Sequence, residues 1–244
     1  MVVRAFGWRQ ARPRPLMRSP VFLLLYLTMS LTAAPVFDWA ASGGGVKADK
    51  VRGLNVDREG NVFIAGECAD EVNFGAASRK GLGLNDVFVA KLDPRGKYLW
   101  SKLSGGPLID RAYAVATDAQ GNSYVTGHFQ GASAAFDGHP VVGRGDYDLF
   151  VVSYDKDGRF RWVRTAGGQG YDYGHGVAVD SRGDIIVAGA VVGEATFGDV
   201  VVPNVAGAHL FVAKYHADGA LVWVKVATGK ASGSAHGVVV DGQD

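Results

Sequence analysis

Four tryptophans recur at nearly constant spacing, and this regularity constrains the fold of the chain more than any other feature. The intervals between them are 61, 62 and 61 residues, at Trp39, Trp100, Trp162 and Trp223. After each of the first three tryptophans a glycine pair, an aspartate and an apolar run follow in the same order. Because self-similarity at a fixed period of this length is typical of solenoids and propellers, the sequence predicts a repeat protein.

Within one repeat, short runs rich in Val, Tyr, Phe, Trp and Thr alternate with polar turns. In the second copy these runs are residues 112–117, 123–127, 149–154 and 159–165. Their length and composition are typical of β-strands. Asp118 opens and Gly121 closes one turn, and Asp155 and Gly158 do the same in another. Aspartate accepts backbone N–H bonds inside such turns and glycine adopts the positive φ that ends them, so the pattern predicts two tight hairpins in each repeat.

Four antiparallel strands in a repeat of this size, without helical periodicity, predict an all-β fold made of β-propeller blades. The repeat region is 35–244, with three complete four-stranded blades at 39–99, 100–161 and 162–222 and a partial one at 223–244. Residues 235–240 are expected to be the first strand of this partial blade. We therefore expect an incomplete propeller that belongs to a longer chain, because natural folds avoid open strand edges. Closure of a ring by several copies of the chain is the alternative.

Aromatic residues recur in register with the repeat. An apolar residue lies two positions before each of the later tryptophans, at Tyr98, Phe160 and Leu221. This alternation predicts that the tryptophans pack against a neighbouring blade, rather than serve as exposed sugar platforms. Phenylalanine also recurs within the long connections, at Phe74, Phe136 and Phe197. We expect these three residues to be structural.

The repeat resembles the bacterial SBBP family of β-propeller repeats. The resemblance rests on the tryptophan, the glycine pair and the two Asp-to-Gly motifs, which in the second copy are residues 118–127 and 148–158. It covers residues 39–244, with His209 in place of the usual aspartate and Thr228 in place of the first glycine of the last pair. The resemblance implies an exported or cell-surface propeller and brings no catalytic residues with it.

The N-terminal segment has the pattern of a secretory signal peptide. Five arginines and no acidic residue precede residue 34, and an apolar run of 11 residues at 21–31 is followed by small residues. We predict a signal peptide over 1–34, whose true start is Met17 or Met1; a buried N-terminal helix is the alternative. The run is too short to cross a bilayer, and no longer apolar run follows it. We therefore expect a secreted, periplasmic or cell-surface protein without a membrane span after signal removal.

Charge and cysteine content exclude some classes of partner. Without the five N-terminal arginines the chain has 20 basic and 24 acidic residues, a net charge of −4. A weakly acidic body lacks the basic surface that phosphate backbones require, so we expect no nucleic-acid partner. Cys68 is the single cysteine and cannot form an intrachain disulfide. It is expected to be small apolar filler.

Motifs for known chemistry are absent from the sequence. There is no nucleophile elbow or phosphate loop, and residues 155–158 match only half of a calcium loop, without its third acidic position and distal glutamate. We therefore expect no cofactor, and a binding protein rather than an enzyme. Connections of about 20 residues, such as that between Gly127 and Asp148, fall on one face and vary between copies. A scaffold that binds a protein, peptide or glycan through this long-loop face is the main hypothesis. A hydrolase or lyase at the channel mouth and a metal-stabilised structural module are the alternatives.

Two sets of polar residues recur near the start of each predicted first strand. One position into the strand the copies have Arg52, Tyr113, His175 and His236, each followed by glycine or alanine. Three residues earlier the first three copies have Asp49, Asp110 and Asp172. We expect both sets to converge near the propeller axis as a shared site for a cation or polar ligand, with the histidines offering neutral nitrogen. The alternative is that each aspartate caps its own loop.

Overall fold

A computed structural model describes residues 2–6, 37–203, 207–229 and 232–241. The described segments contain strands and no helix, which confirms the predicted all-β class. No segment in these ranges therefore forms a long apolar helix of the kind that crosses a membrane. The first two strands, β1 (Val2–Phe6) and β2 (Phe37–Gly44), pair antiparallel. Strand β1 lies within the predicted signal segment, and that assignment stays a prediction.

Three successive units repeat the same antiparallel order of four strands. Unit A contains β3 (Lys50–Val56), β4 (Val62–Cys68), β7 (Asp86–Leu92) and β8 (Tyr98–Ser104). Unit B contains β9 (Arg111–Thr117), β10 (Ser123–Gln130), β13 (Tyr147–Tyr154) and β14 (Phe160–Gly168). Unit C contains β15 (Tyr173–Val179), β16 (Ile185–Val192), β19 (Ala208–Tyr215) and β20 (Leu221–Val226). The middle strands are the most buried in each unit, and in unit B both of their faces pack on neighbouring units.

The predicted tight turns connect the first strand to the second and the third to the fourth. In the turn after β9, the backbone N–H of Gly121 donates to the Asp118 carbonyl at 3.1 Å. One carboxylate oxygen of Asp118 accepts N–H bonds from Gln120 and Asn122 at 2.9 Å each. The glycine has φ of +80°, as the turn requires.

The long connections between the second and third strands contain a small hairpin in each unit. These hairpins are β5 (Val72–Phe74) with β6 (Ala77–Arg79), β11 (Ser133–Phe136) with β12 (His139–Val142), and β17 (Ala195–Phe197) with β18 (Val200–Val202). Each hairpin reaches back to the unit before it: β5 pairs with β2, β17 pairs with β14, and Ala135 bridges to Gly105. The sequence-based view of these segments as variable loops is therefore wrong for their hairpin part. Their phenylalanines are buried, which confirms the predicted structural role.

The first strands of the units lie side by side. Residue Gly53 of β3 is so close to β9 that a β-carbon on it would lie 2.8 Å from the Cα of Ala114. Gly176 of β15 faces Gly237 of the C-terminal segment in the same way, at 3.0 Å. This close approach explains why the position after the predicted polar residue is always glycine or alanine.

The C-terminal segment does not form the predicted strand at 235–240. It lies beside β15 but has no regular secondary structure. Its backbone makes isolated hydrogen bonds, from Gly233 to Ala208 at 2.8 Å and from Ala235 to Gly189 at 3.1 Å. A strand requires a continuous ladder of such bonds to a neighbouring strand, and this segment lacks one.

The recurrent tryptophans join each unit to the next. The indole N–H of Trp162 donates to the carbonyl of Ala217 at 2.9 Å, and its ring lies over Gly219 in the turn between β19 and β20. Trp39 makes the same contacts with the turn of unit A, and Trp100 with that of unit B. Trp223 has no such turn beside it among the described residues and is 37% exposed. The predicted packing against a neighbouring unit is confirmed for the first three tryptophans.

We predict that Gly158→Ala destabilises the chain more than Gly183→Ala. Both glycines close tight turns, with φ of +80° and +84°, so alanine meets similar backbone strain at each. A β-carbon at Gly158 would lie 2.8 Å from the Trp100 ring, whereas nothing lies within 4 Å of one at Gly183. The excess loss for Gly158→Ala is about 1–3 kcal/mol, the usual cost of overpacking. Urea unfolding of the two variants measures it, and equal losses would show that the tryptophan contact is not tight.

Candidate functional site

A β-bulge at the start of each first strand positions the predicted polar residues. Val51 pairs with Gly66 and Gly53 pairs with Ala65, which leaves Arg52 as the extra residue. The same shift in β9 and β15 leaves Tyr113 and His175 unpaired. Because a bulge turns one side chain away from the normal alternation, these residues point toward the space between the units.

A glycine in the second strand makes each bulge possible. Gly127 faces the bulge of unit B, and a β-carbon on it would overlap the carbonyl oxygen of Arg111. Gly66 and Gly189 occupy the same position in units A and C, with the same crowding. The repeated glycine at the end of the second-strand motif is therefore required by the geometry that presents the polar residues.

The structure brings together the four predicted first-strand residues in a row. The Arg52 guanidinium lies 5.3 Å from the centre of the Tyr113 ring, which is 5.1 Å from the His175 ring. The His175 ring stacks on His236 at 4.7 Å, and its Nδ1 lies 3.1 Å from the Ala235 carbonyl. The four side chains line a cavity of about 250 Å³ between the first strands. Burial, followed by the charge of His236, lowers the pKa of His175.

The aspartates are placed differently from the predicted cation site. Asp110 and Asp172 are fully buried, and both oxygens of each carboxylate accept backbone N–H bonds at 2.5–2.9 Å. Asp49 accepts N–H bonds from Gly45 at 2.7 Å and Ala69 at 3.3 Å. This geometry matches the alternative interpretation, in which the aspartates cap loops. Within the described residues, no three His, Cys, Asp or Glu side chains are arranged to hold a metal ion.

A second buried carboxyl group faces each of two capping aspartates. Asp86 Oδ2 accepts the N–H groups of Leu82 and Gly83, whereas its Oδ1 is buried without a hydrogen-bond partner. A β-carbon on Gly105 would contact both this oxygen and Oδ2 of Asp110. Burial, with the neighbouring Asp86 charge as a smaller cause, raises the pKa of Asp110 to about 6. Asp148 and Asp172 repeat the arrangement around Gly167.

Beside the row of first-strand residues lies an aromatic cavity between units B and C. Its volume is about 320 Å³, near the lower end of the roughly 300–1,000 Å³ typical of small-molecule sites. Four tyrosines, two histidines, one arginine and one serine provide its polar lining: Tyr113, Tyr147, Tyr171, Tyr173, His128, His175, Arg111 and Ser234. We call this space the tyrosine cavity. Of these residues, the sequence pattern identified only Tyr113 and His175.

His128 is the most unusual group in the tyrosine cavity. It is 1% exposed, and neither ring nitrogen has a hydrogen-bond partner. Three tyrosine rings surround it, with centres 4.7 Å away for Tyr147, 5.1 Å for Tyr173 and 5.5 Å for Tyr113. Burial, with a smaller effect of the Arg111 charge, lowers the pKa of His128 to about 3. The imidazole is therefore neutral at physiological pH, with one donor and one acceptor nitrogen, both of them buried.

Differences between equivalent positions of the repeat create the tyrosine cavity. The position of His128 in unit B is occupied by Ala190 in unit C, and that of Tyr147 by Ala208. Both alanines line the cavity. Two large side chains of unit B thus face two small side chains of unit C, and the space between them stays open. A comparison of the copies at these positions was the sequence signal for this site.

Arg111 carries the charge of the tyrosine cavity. Its Nε faces the carboxylate of Glu67, which also pairs with Arg52 at 2.9 Å and Lys50 at 3.5 Å. Glu67 is only 2% exposed, whereas the side chain of Lys50 is 59% exposed, so solvent screens the Lys50 pair more than the two arginine pairs. Three positive charges therefore share one negative charge beside the cavity, an excess of two positive charges.

Another cavity, of about 450 Å³, lies at the opposite end of the first strands. The turn residues Asp57, Asp118 and Asp180 line it. Their carboxylates accept backbone N–H bonds within their own turns, and Asp180 also pairs with Lys214 at 2.6 Å. These acidic groups are therefore occupied structurally. Cys68 is likewise buried, and burial raises the pKa of its thiol, in agreement with the predicted filler role.

Comparison with known proteins gives limited support for the repeat architecture. No protein-family model matches the chain. An uncharacterized WD repeat-containing protein of Acanthamoeba polyphaga mimivirus is 26% identical over 113 residues. The match spans 44% of this chain and 8% of that protein. Because WD repeats form β-propellers, the similarity agrees with an all-β, propeller-like scaffold.

We predict opposite effects for two amide substitutions in the buried carboxyl pair. Asp86→Asn keeps the oxygen that accepts two backbone N–H groups and turns an N–H donor toward Asp110. This change removes one acid from the pair. Asp110→Asn instead leaves one of two backbone N–H groups without a hydrogen-bond acceptor, which lowers the free energy of unfolding by about 1–3 kcal/mol at any pH.

The pH dependence distinguishes the two substitutions. The pKa of Asp110 is raised from 3.8 to about 6, so the folded state loses stability as pH rises through this interval. Relative to the unmodified chain, Asp86→Asn should gain about 1 kcal/mol between about pH 4 and about pH 7.5, because it lowers this pKa. Urea unfolding at the two pH values measures the gain. A constant difference between Asp86→Asn and the unmodified chain would contradict coupling between the two carboxyl groups.

Proposed function

We propose that the chain forms an exported β-propeller scaffold of the SBBP type that binds a protein, peptide or glycan. The scaffold is proposed to hold its ligand in the tyrosine cavity. Support for the architecture comes from three antiparallel four-stranded units, joined by tryptophans, with adjacent first strands. Support for export comes from the signal-like N-terminal sequence.

The observation that carries the binding proposal is the unsatisfied His128 imidazole. A buried polar group without a partner costs about 1–3 kcal/mol, and native structures rarely retain one without reason. His128 lines the cavity with its ring nitrogens buried, so a ligand would provide the missing partners where the surrounding tyrosine rings move to admit it. The cavity also lies where the first strands begin, on the same face as the long connections, which supports the hypothesis of binding through the long-loop face.

The lining of the tyrosine cavity also fits binding better than nucleophilic catalysis. Tyrosine offers a large, rigid ring with one polar end, which suits recognition at low entropic cost. Burial raises the pKa values of Tyr113 and Tyr173, so both hydroxyls stay protonated and are able to donate a hydrogen bond to a ligand. In the part of the chain that the structure describes, Ser234 is the one lining alcohol besides tyrosine, and its hydroxyl pairs with His236 at 2.8 Å.

We predict that Ala208→Tyr abolishes ligand binding without unfolding the chain. Tyrosine occupies the equivalent position in unit B, so the repeat accepts this side chain, and in unit C it would fill the cavity. The matched control is Ala220→Tyr, at an exposed position in a tight turn at the opposite end. Glycan and peptide arrays probed with the three proteins test this. Binding that survives Ala208→Tyr, or that Ala220→Tyr removes equally, would place the ligand elsewhere.

A further inference from the structure

We propose that the tyrosine cavity recognises a carboxylated sugar residue, of the hexuronate class, with its carboxylate against Arg111. This inference rests on the proposed binding function and identifies the chemical class of its ligand. It follows from the charge, the hydrogen-bonding capacity and the shape of the lining.

The charge of the lining selects an anion. Among the described residues that line the cavity, Arg111 is the single charged side chain and there is no carboxylate. The nearby Glu67 serves three cations, so it does not neutralise the site. Arginine binds carboxylates through parallel, charge-assisted N–H bonds, which are stronger than neutral ones.

The same charge argues against a cationic ligand. Aromatic rings around a cavity often bind quaternary ammonium groups, because the ring faces carry negative potential. An acidic residue inside or next to the cage would strengthen such binding. Here the excess of positive charge would oppose it, although four tyrosine rings are present.

The remaining lining suits a polyhydroxylated ring. The tyrosine hydroxyls can both donate and accept hydrogen bonds, so they match sugar hydroxyls, which do both. The rings of Tyr147 and Tyr173 are inclined by only 31°, with centres 5.8 Å apart, so they present related faces to the C–H surface of a sugar. A volume of about 320 Å³ fits one small unit.

The test is calorimetric titration of the chain with matched small ligands. D-galacturonate and D-glucuronate represent the class. Methyl galacturonate ester keeps the ring and removes the charge, acetate keeps the carboxylate without the ring, and choline represents the cationic alternative. We expect a uronate to bind at least about tenfold more tightly than the ester or acetate, and its affinity to fall with added salt. A tri-galacturonate titration then distinguishes recognition of a free sugar acid from recognition of a residue within a polysaccharide.

Three variants assign the interaction to the cavity. Arg111→Gln should lower uronate affinity at least about tenfold and leave ester affinity unchanged. Arg95→Gln, at an exposed turn position at the opposite end, is the matched control and should change neither. Tyr171→Ala should weaken both ligands. Since Tyr171 is 46% exposed, this change leaves the fold intact and keeps the test decisive if Arg111→Gln unfolds.

Several results would overturn the inference. Equal affinity for uronate and its ester, equal affinity for acetate, or binding of choline would each exclude a carboxylated sugar. Absence of uronate binding, together with an array ligand that Ala208→Tyr blocks, would refute the ligand class and leave the binding function intact. Absence of any ligand that Ala208→Tyr blocks would refute both.

Discussion

The contact between a tryptophan and the tight turn of the following unit is the interaction on which the rest of the structure depends. An indole is large enough to cover a turn, and its N–H satisfies a turn carbonyl, as Trp162 does with Ala217 at 2.9 Å. The ring can approach only because glycine stands beneath it. Because this contact fixes the distance between units, it also fixes the separation of the first strands. The width of the tyrosine cavity follows from that separation.

A second constraint acts at the same junctions, near the axis. Gly105 leaves room for the carboxyl groups of Asp86 and Asp110, and a side chain at that position would displace them. In the last copy the three corresponding positions are all changed, to Thr228, His209 and Gly233. The glycine and both acids are thus lost together. This joint change is what steric coupling among the three positions requires, and it is visible in a single sequence once the positions are aligned.

The strands and tight turns could be predicted from the sequence, because local chemistry determines both. The Asp-to-Gly turns and the alternating runs around Trp100 are short-range signals that need no knowledge of the neighbours. The hairpin β11–β12 was missed because its strands are only four residues long. Such a hairpin is held by Gly105 of the previous unit and not by its own propensity. The strand predicted at 235–240 is absent for the opposite reason: the composition of the segment is strand-like, but the segment lacks a hydrogen-bond ladder to a neighbouring strand.

The candidate site was only partly predictable because it is built from departures from the repeat. Periodicity located Tyr113 and His175, since the bulge recurs in every copy. Periodicity could not locate His128, because a search for similarity between copies passes over the positions at which the copies differ. In a repeat fold, a position with the same residue in every copy holds neighbouring units together. A bulky residue in one unit that faces a small residue in the next leaves a space between the units. His128 facing Ala190 is such a case. The positions that weaken the repeat pattern are therefore the ones most informative about ligand binding.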